Sequence, residues 1–189
     1  MIAAGYVRSV GLSEVGAETL RRAQAVHPVA DLQIEYSLLS RGIEAEILPT
    51  CRELGLGITA YGVLARGLLG GELSGQDPLG PGDFRAAMPR FRPENLSSNL
   101  ARVDALRTVA AARGATVARA TLAWVLARGD DLVPLVGMRR PGRVAETITA
   151  LELRLSPSEL AAIEQAAPPD VVAGSRYDER QTETLDSER

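Results

Sequence analysis

Two adjacent arginines in a turn, and a third inside the helix that follows, are the side chains of this sequence best suited to holding a ligand. They lie in Val133-Pro134-Leu135-Val136-Gly137-Met138-Arg139-Arg140-Pro141-Gly142-Arg143-Val144-Ala145-Glu146-Thr147. A short apolar run breaks at Gly137, turns through Arg139 and Arg140, and enters a helix whose first turns carry Arg143 and Glu146. Backbone N–H groups and the helix dipole favour an anion at such a terminus, and a guanidinium fork binds phosphate through paired hydrogen bonds. The same residues also read as a strand, a turn and a helix with arginines solvated at the rim. Taken alone, they do not choose between the two.

Composition removes most other chemistry. All 21 basic residues are arginine, so nothing here acts as a catalytic lysine. One cysteine, Cys51, and one histidine, His27, leave no disulfide framework, thiolate cluster or His-rich metal site within the chain. His27 falls at the end of a helical pattern, where the dipole favours it as a surface group. A net charge of -3 gives no basic footprint for nucleic acid. No apolar run approaches membrane-spanning length, and Arg8 interrupts any signal-like start, so the expectation is a cytoplasmic, reducing location with no membrane partner. With 189 residues, 46% of them hydrophobic and 24% charged, the chain is long and apolar enough to bury a globular core.

The elements that must position the arginines alternate along the chain. Residues 5–13 read as a short strand ending in a loop, and 17–26 as a helix with Leu20, Ala23 and Val26 on one face, closed by Pro28. Leu32–Tyr36 alternates as a second strand. A helix around Leu48–Leu54 carries Pro49 in its first turn and Gly55 as its stop. Gly57–Tyr61 is a third strand. The segment from Gly62 to about Pro93 contains Gly67, Gly70, Gly71, Gly75, Gly80 and Gly82 and lacks a period. A long loop at a strand's C-terminal end is where ligand loops lie in α/β folds. Leu96, Leu100, Val103, Leu106 and Val109 mark the next helix, Thr116 caps another over Val117–Arg128 with Trp124 facing the core, and the opening stretch supplies the fourth strand and its helix. Ser156-Pro157-Ser158-Glu159 is a capping box that starts a helix to about Ala166. The expected fold class is therefore α/β, built from four parallel βα units over residues 1–168, with a polar tail, 169–189, that is mobile or tied down only by contacts elsewhere.

Four of these pieces, in this order, resemble the C-terminal half of an aldo-keto reductase. Val7-Arg8-Ser9-Val10-Gly11-Leu12-Ser13-Glu14 resembles the family's strand ending in Gly-Val-Ser-Asn, and Leu32-Gln33-Ile34-Glu35-Tyr36-Ser37 its Gln-bearing strand. Ala60-Tyr61-Gly62-Val63-Leu64-Ala65-Arg66-Gly67-Leu68-Leu69 is similar to Ala-Tyr-Ser-Pro-Leu-Gly-Arg-Gly-Leu-Leu. The opening stretch is similar to Ile-Pro-Gly-Thr-Arg-Arg-Pro-Glu-Arg-Leu-Glu-Glu-Asn. The resemblance runs from about Tyr6 to Tyr177 and implies half of a TIM (βα)₈ barrel that binds NADP(H) across its C-terminal face. It implies that Ser13 and Gln33 hold the nicotinamide carboxamide, that Tyr61 stacks on the ring, and that Gly62, Leu64 and Arg66 follow the diphosphate. Met138, Arg139 and Arg143 then surround the 2′-phosphate, with Glu146 and Thr147 at adenine. Five positions depart from the pattern: Glu14 for Asn, Gly62 and Val63 for Ser-Pro, Met138 for Ser or Thr, and Thr147 for Asn.

The family's Asp, Tyr, Lys and His stand on the first four strands of its barrel, and no segment here resembles them. The expectation is thus a cofactor-binding half of an NADP(H)-dependent reductase of aldehydes and ketones, inactive alone. It would be a truncated product or a reading frame started at an internal Met1. The alternative is a catalytically silent NADP(H)-binding or regulatory half-barrel. Four βα units leave sheet edges and one sheet face open, so a homodimer through that face, or poor solubility, is expected. The implied partners are NADPH and, in a complete enzyme, a small carbonyl substrate.

Overall fold

The computed structural model describes residues 1–71, 73, 79–80, 82–138 and 141–188. Strands β1 (Gly11–Ser13), β2 (Asp31–Glu35), β3 (Gly57–Tyr61) and β4 (Leu132–Pro134) form one sheet in the order β1-β2-β3-β4, with every neighbouring pair parallel. Each parallel step needs a crossover, and helices supply them. The crossovers are α1 (Ala17–Val26), α2 (Ile47–Leu54), and the pair α3 (Pro93–Ala111) and α4 (Val117–Leu126). After β4 come α5 (Pro141–Ala150), α6 (Pro157–Ala166) and a short α7 (Glu179–Glu183).

The register sorts the strand residues into two faces. Leu12, Leu32, Ile58 and Leu132 stand side by side, and Leu32 and Ile58 are fully buried against the helices. Ser13, Gln33, Thr59 and Val133 make the row on the opposite face. There Ser13 and Gln33 are exposed, and Val133 keeps 62% of its surface in water. A parallel sheet normally has both faces covered. Here the second face is only partly covered among the described residues: Ser13, Gln33 and Val133 are exposed, whereas Glu35, at the C-terminal end of β2, is buried beside Arg176, and β1 and β4 each pair with a single neighbour.

Local chemistry explains the element ends. Gly55 stops α2 in a left-handed conformation (φ 70°) that a side chain disfavours. Thr116 caps α4 by accepting from Arg119 N, and Ser156 and Glu159 form the reciprocal capping box of α6. Apolar on nearly all sides, α4 is correspondingly buried from Val117 to Val125 except at Arg119. Trp124 is enclosed, packs on Tyr36 at 5.5 Å between ring centres, and donates its indole N–H to Glu164 at 3.1 Å.

Three expectations are corrected. β2 spans Asp31–Glu35 instead of Leu32–Tyr36, although Tyr36 N still donates to Tyr61 O at 3.1 Å. α4 ends at Leu126 instead of Arg128. The glycine-rich stretch after β3 is not featureless, since Ala65–Gly70, Phe84–Ala87 and Pro89–Phe91 form tight 3₁₀ turns. Gly75 lies outside the described residues.

The tail is tied down. Asn99, 1% exposed on α3, donates to Ala173 O at 2.9 Å and accepts from Ala173 N at 3.0 Å. Arg90 Nε donates to Gly174 O, and further on Gly16 N donates to Asp186 Oδ2 at 2.9 Å. The segment from Ala173 to Ser187 thus lies against α3 and the C-terminal ends of β1 to β3.

Candidate functional site

A groove of about 900 Å³ opens beside the C-terminal end of β3. It begins at Tyr61, follows Gly62–Leu64, Arg66, Gly67 and Gly70, passes Gly80 and Gly82–Arg85, and ends against Leu135–Met138 and Arg143. Its size is at the upper end for small-molecule sites. Six residues singled out from the sequence line it together: Tyr61, Gly62, Leu64, Arg66, Met138 and Arg143.

The loop that forms one wall is built from unusual backbone. Gly62 (φ 66°), Ala65 (φ 47°), Arg66 (φ 54°) and Gly67 (φ 100°) are all left-handed. Such conformations in residues with side chains cost of order 1–3 kcal/mol each and cluster at ligand clamps. Short hydrogen bonds hold the turn, from Ala65 N to Gly62 O at 2.7 Å and from Gly67 N to Leu64 O at 2.9 Å. A Cβ at Gly62 would come within 3.1 Å of Glu35 Cγ, so this departure from the family's serine accommodates Glu35. Arg85 braces the same loop through Arg66 O at 3.2 Å and is itself paired with Asp83 at 2.6 Å.

Arg66 lines the groove, yet its guanidinium is engaged. It binds the Glu35 carboxylate at 2.8 Å, where the Glu35 side chain is fully enclosed, and stacks over the Tyr177 ring at 4.8 Å. Ser40 Oγ donates to the other Glu35 oxygen at 2.8 Å, and Arg90 and Arg176 stand at 3.7 and 3.6 Å. Burial and the surrounding cations together lower the Arg90 pKa, because the favourable Glu35 charge only partly offsets desolvation.

At the far end Arg143 donates to Glu146 Oε2 at 2.8 Å, and Thr116 donates to Glu146 Oε1 at 2.6 Å. Glu146 therefore orients Arg143 and does not itself line the groove. Thr147 Oγ1 is enclosed without a hydrogen-bond partner among the described residues. Arg139, the second candidate phosphate ligand, lies outside the described residues, as does Arg140. Ser13 and Gln33 are neighbours in the β1–β2 ladder on the open sheet face, but they stand off the groove.

Sequence reading missed the groups behind Tyr61. Its hydroxyl is 3.1 Å from the Tyr177 hydroxyl and accepts from Arg176 at 3.3 Å. Arg176 also reaches Glu14 at 2.5 Å and Glu188 at 2.7 Å. Burial pushes the Glu14 carboxyl up, but hydrogen bonds from Arg176, Ser187, Tyr61 and Glu35 N outweigh it and bring its pKa down to about 2. The carboxylate that stands in place of the family's Asn is thus held ionised and paired with Arg176 of the tail. Burial, then the hydrogen bonds with Tyr177 and Glu14, raises the Tyr61 pKa, so this phenol stays protonated. Tyr177 has Arg66 and Arg176 over its ring. Nothing in the local sequence marks Arg176 and Tyr177 beyond an isolated aromatic in a polar tail.

Other chemistry finds no support in the side chains. Burial, with Asp131 and Asp31 nearby, raises the Cys51 thiol to about 11, which keeps it from being a nucleophile. Among the described residues no cluster of His, Cys, Asp and Glu is arranged to hold a metal ion, and no helix is long and apolar enough to cross a membrane.

Residues 1–168 match the model of the aldo/keto reductase family. A curated relative, the probable aldo-keto reductase 1 of Glycine max, is 41% identical over 177 residues, 94% of this chain and 51% of the relative. Among solved structures, the glycerol dehydrogenase of Gluconobacter oxydans superposes with a TM-score of 0.81 at 30% identity, over 88% of this chain and 52% of its own. An aldo-keto reductase from Klebsiella pneumoniae in complex with NADPH superposes with a TM-score of 0.66 at 28% identity, over 94% and 54%. The chain spans about half the length of the relatives it matches.

Proposed function

The chain belongs to the aldo/keto reductase family, and we propose that it is the NADP(H)-binding half of a carbonyl reductase, four βα units of an eight-unit barrel. The groove from Tyr61 to Arg143 carries this reading, because it gathers an aromatic ring, a glycine-lined backbone wall and a guanidinium along one continuous path. Two further surfaces support the half-barrel part. Val133 and Leu135 are 62% and 53% exposed on or just past β4, and Val144, Ile148 and Leu151 form an exposed apolar stripe along α5 and its end. Apolar surface of that kind calls for a covering partner.

The residues present fit the cofactor unevenly. Glycines at 62, 67, 70, 80 and 82 let backbone approach a diphosphate closely, and Arg143, aimed by Glu146, suits a 2′-phosphate. Arg139 would join it there. Tyr61 offers a ring face to nicotinamide while its hydroxyl is held elsewhere. Ser13 and Gln33 would supply a donor and an acceptor for the carboxamide from the adjoining strand ends. Thr147, the position that would lie at adenine, keeps its hydroxyl enclosed and off the groove lining. Arg66 shapes the loop, since Glu35 already neutralises it. When bound, NADPH supplies the hydride for reduction of an aldehyde or ketone. The proton donor of the family's tetrad would have to come from segments that this chain does not match, so the chain alone turns nothing over.

Titration with NADPH and NADH, followed by cofactor fluorescence, tests the reading. Replacing Arg139 and Arg143 together by Gln should weaken NADPH at least tenfold and leave NADH nearly unchanged, because loss of a charged hydrogen bond is worth roughly 1.5–3 kcal/mol. Equal loss for both would make the arginines structural, and an unchanged fluorescence with the wild-type chain would overturn the cofactor assignment.

A further inference from the structure

The tail's Arg176 and Tyr177 stand behind two residues of the groove wall. Tyr61 is held by its hydroxyl, within 3.1 Å of Tyr177 Oη and 3.3 Å of Arg176 Nη1. Arg66 is sandwiched between the Glu35 carboxylate at 2.8 Å and the Tyr177 ring at 4.8 Å. The turn at 62–67 that contains Arg66 and follows Tyr61 holds four left-handed residues, Gly62, Ala65, Arg66 and Gly67, a conformation that needs outside support.

The support is itself firmly seated. The Arg176 side chain is only 9% exposed, and its guanidinium is shared among Glu14, Glu188, Ser187 Oγ and Tyr61 Oη. Ser187 adds a hydroxyl to Glu14 at 2.7 Å and its N–H to Glu14 O at 3.2 Å. Upstream, Gly174 (φ 79°) fits so closely against the 3₁₀ turn at 89–91 that a Cβ there would meet Pro89 backbone at 2.7 Å. The tail therefore arrives at Tyr61 from two fixed points, Ala173–Gly174 on one side and Asp186–Ser187 on the other.

We propose that Arg176 and Tyr177 are positioning residues of the groove: the C-terminal segment fixes the Tyr61 ring and the 62–67 turn in the shape that receives the cofactor. The inference rests on the NADP(H) reading of the groove. It adds that the site is a composite of strand ends and a tail more than 110 residues away in sequence. The tail groups touch no cofactor atom in this scheme and act through Tyr61 and Arg66.

Two measurements on the full chain separate this inference from the reading beneath it. Tyr177→Ala removes both the hydroxyl and the ring, and Tyr177→Phe removes the hydroxyl alone. Hydrogen–deuterium exchange should rise in residues 61–70 of Tyr177→Ala and stay unchanged in α3 and α4. Unchanged exchange at 61–70 overturns the positioning role whether or not the cofactor binds. NADPH affinity should fall roughly five- to tenfold in Tyr177→Ala, the loss expected of a hydrogen bond and a ring contact, and less in Tyr177→Phe, which keeps the ring under Arg66. NADH should lose as much, in contrast to the arginine pair. Raised exchange with intact affinity for both cofactors also overturns the inference. A wild-type chain that binds neither cofactor removes the NADP(H) reading instead, and the exchange result alone then decides whether the tail holds the turn.

Discussion

Glu14 shows how one side chain joins two distant parts of the sequence. Its backbone is left-handed (φ 53°) at the end of β1, which turns the carboxylate toward β2 and the tail. Arg176 and Ser187 then make ionisation strongly favourable, with the pKa at about 2 against an ordinary 4.5. The folded value lies below the unfolded one, so the stabilisation is complete above about 4.5 and drains away as the pH falls through about 2. A carboxyl NMR titration of Glu14 should give a midpoint near 2; a midpoint near 4.5 would mean that the tail contact is not populated in solution. The shift corresponds to a contribution on the order of 3 kcal/mol at neutral pH. From the sequence, Glu14 is only a carboxylate where the family has an amide. What it binds lies 162 residues away and carries no pattern of its own.

At the scale of elements, local signals translate well and long-range ones do not. The third strand, Gly57–Tyr61, and the first helix, Ala17–Val26, match their expected bounds because period and flanking residues fix them. The same holds for the α6 cap, where Ser156 Oγ accepts from Glu159 N at 3.3 Å and Glu159 Oε2 accepts from Ser156 N at 2.7 Å. Ser156→Ala should destabilise the chain by about 1 kcal/mol, seen as a lower urea midpoint with an unchanged slope. An unchanged midpoint would mean that α6 is already frayed when the core unfolds. Tyr61, Gly62, Leu64 and Arg66, named from the family resemblance, share one turn of the groove wall, and Met138 and Arg143 line its far end. What was not legible is where the guanidiniums point. Arg66 turns to Glu35 because a buried carboxylate without a partner would cost several kcal/mol. The tail escaped notice because polar contacts have no periodicity to read.

For the whole molecule the decisive trait is a parallel sheet whose second face is left partly open among the described residues. Leu32, Ile58 and Leu132 are buried against the helices, whereas Gln33 and Val133 face water. Together with the exposed stripe Val144–Ile148–Leu151, this face favours association. Size-exclusion chromatography with light scattering should find a dimer or larger species at micromolar concentration, and Val133→Arg should shift it toward monomer. A monodisperse monomer at high concentration would refute association through this face.

The clasp between Glu14 and Arg176 also dictates an order of events during synthesis. Chains emerge from the ribosome N-terminal end first, and contacts of long sequence separation close late. The helices and the four-stranded sheet can assemble while Glu14 and Glu35 still face water. The turn at 62–67 then gains its outside support only once Arg176 and Tyr177 have reached it, so the pocket wall is the late-forming part of the fold.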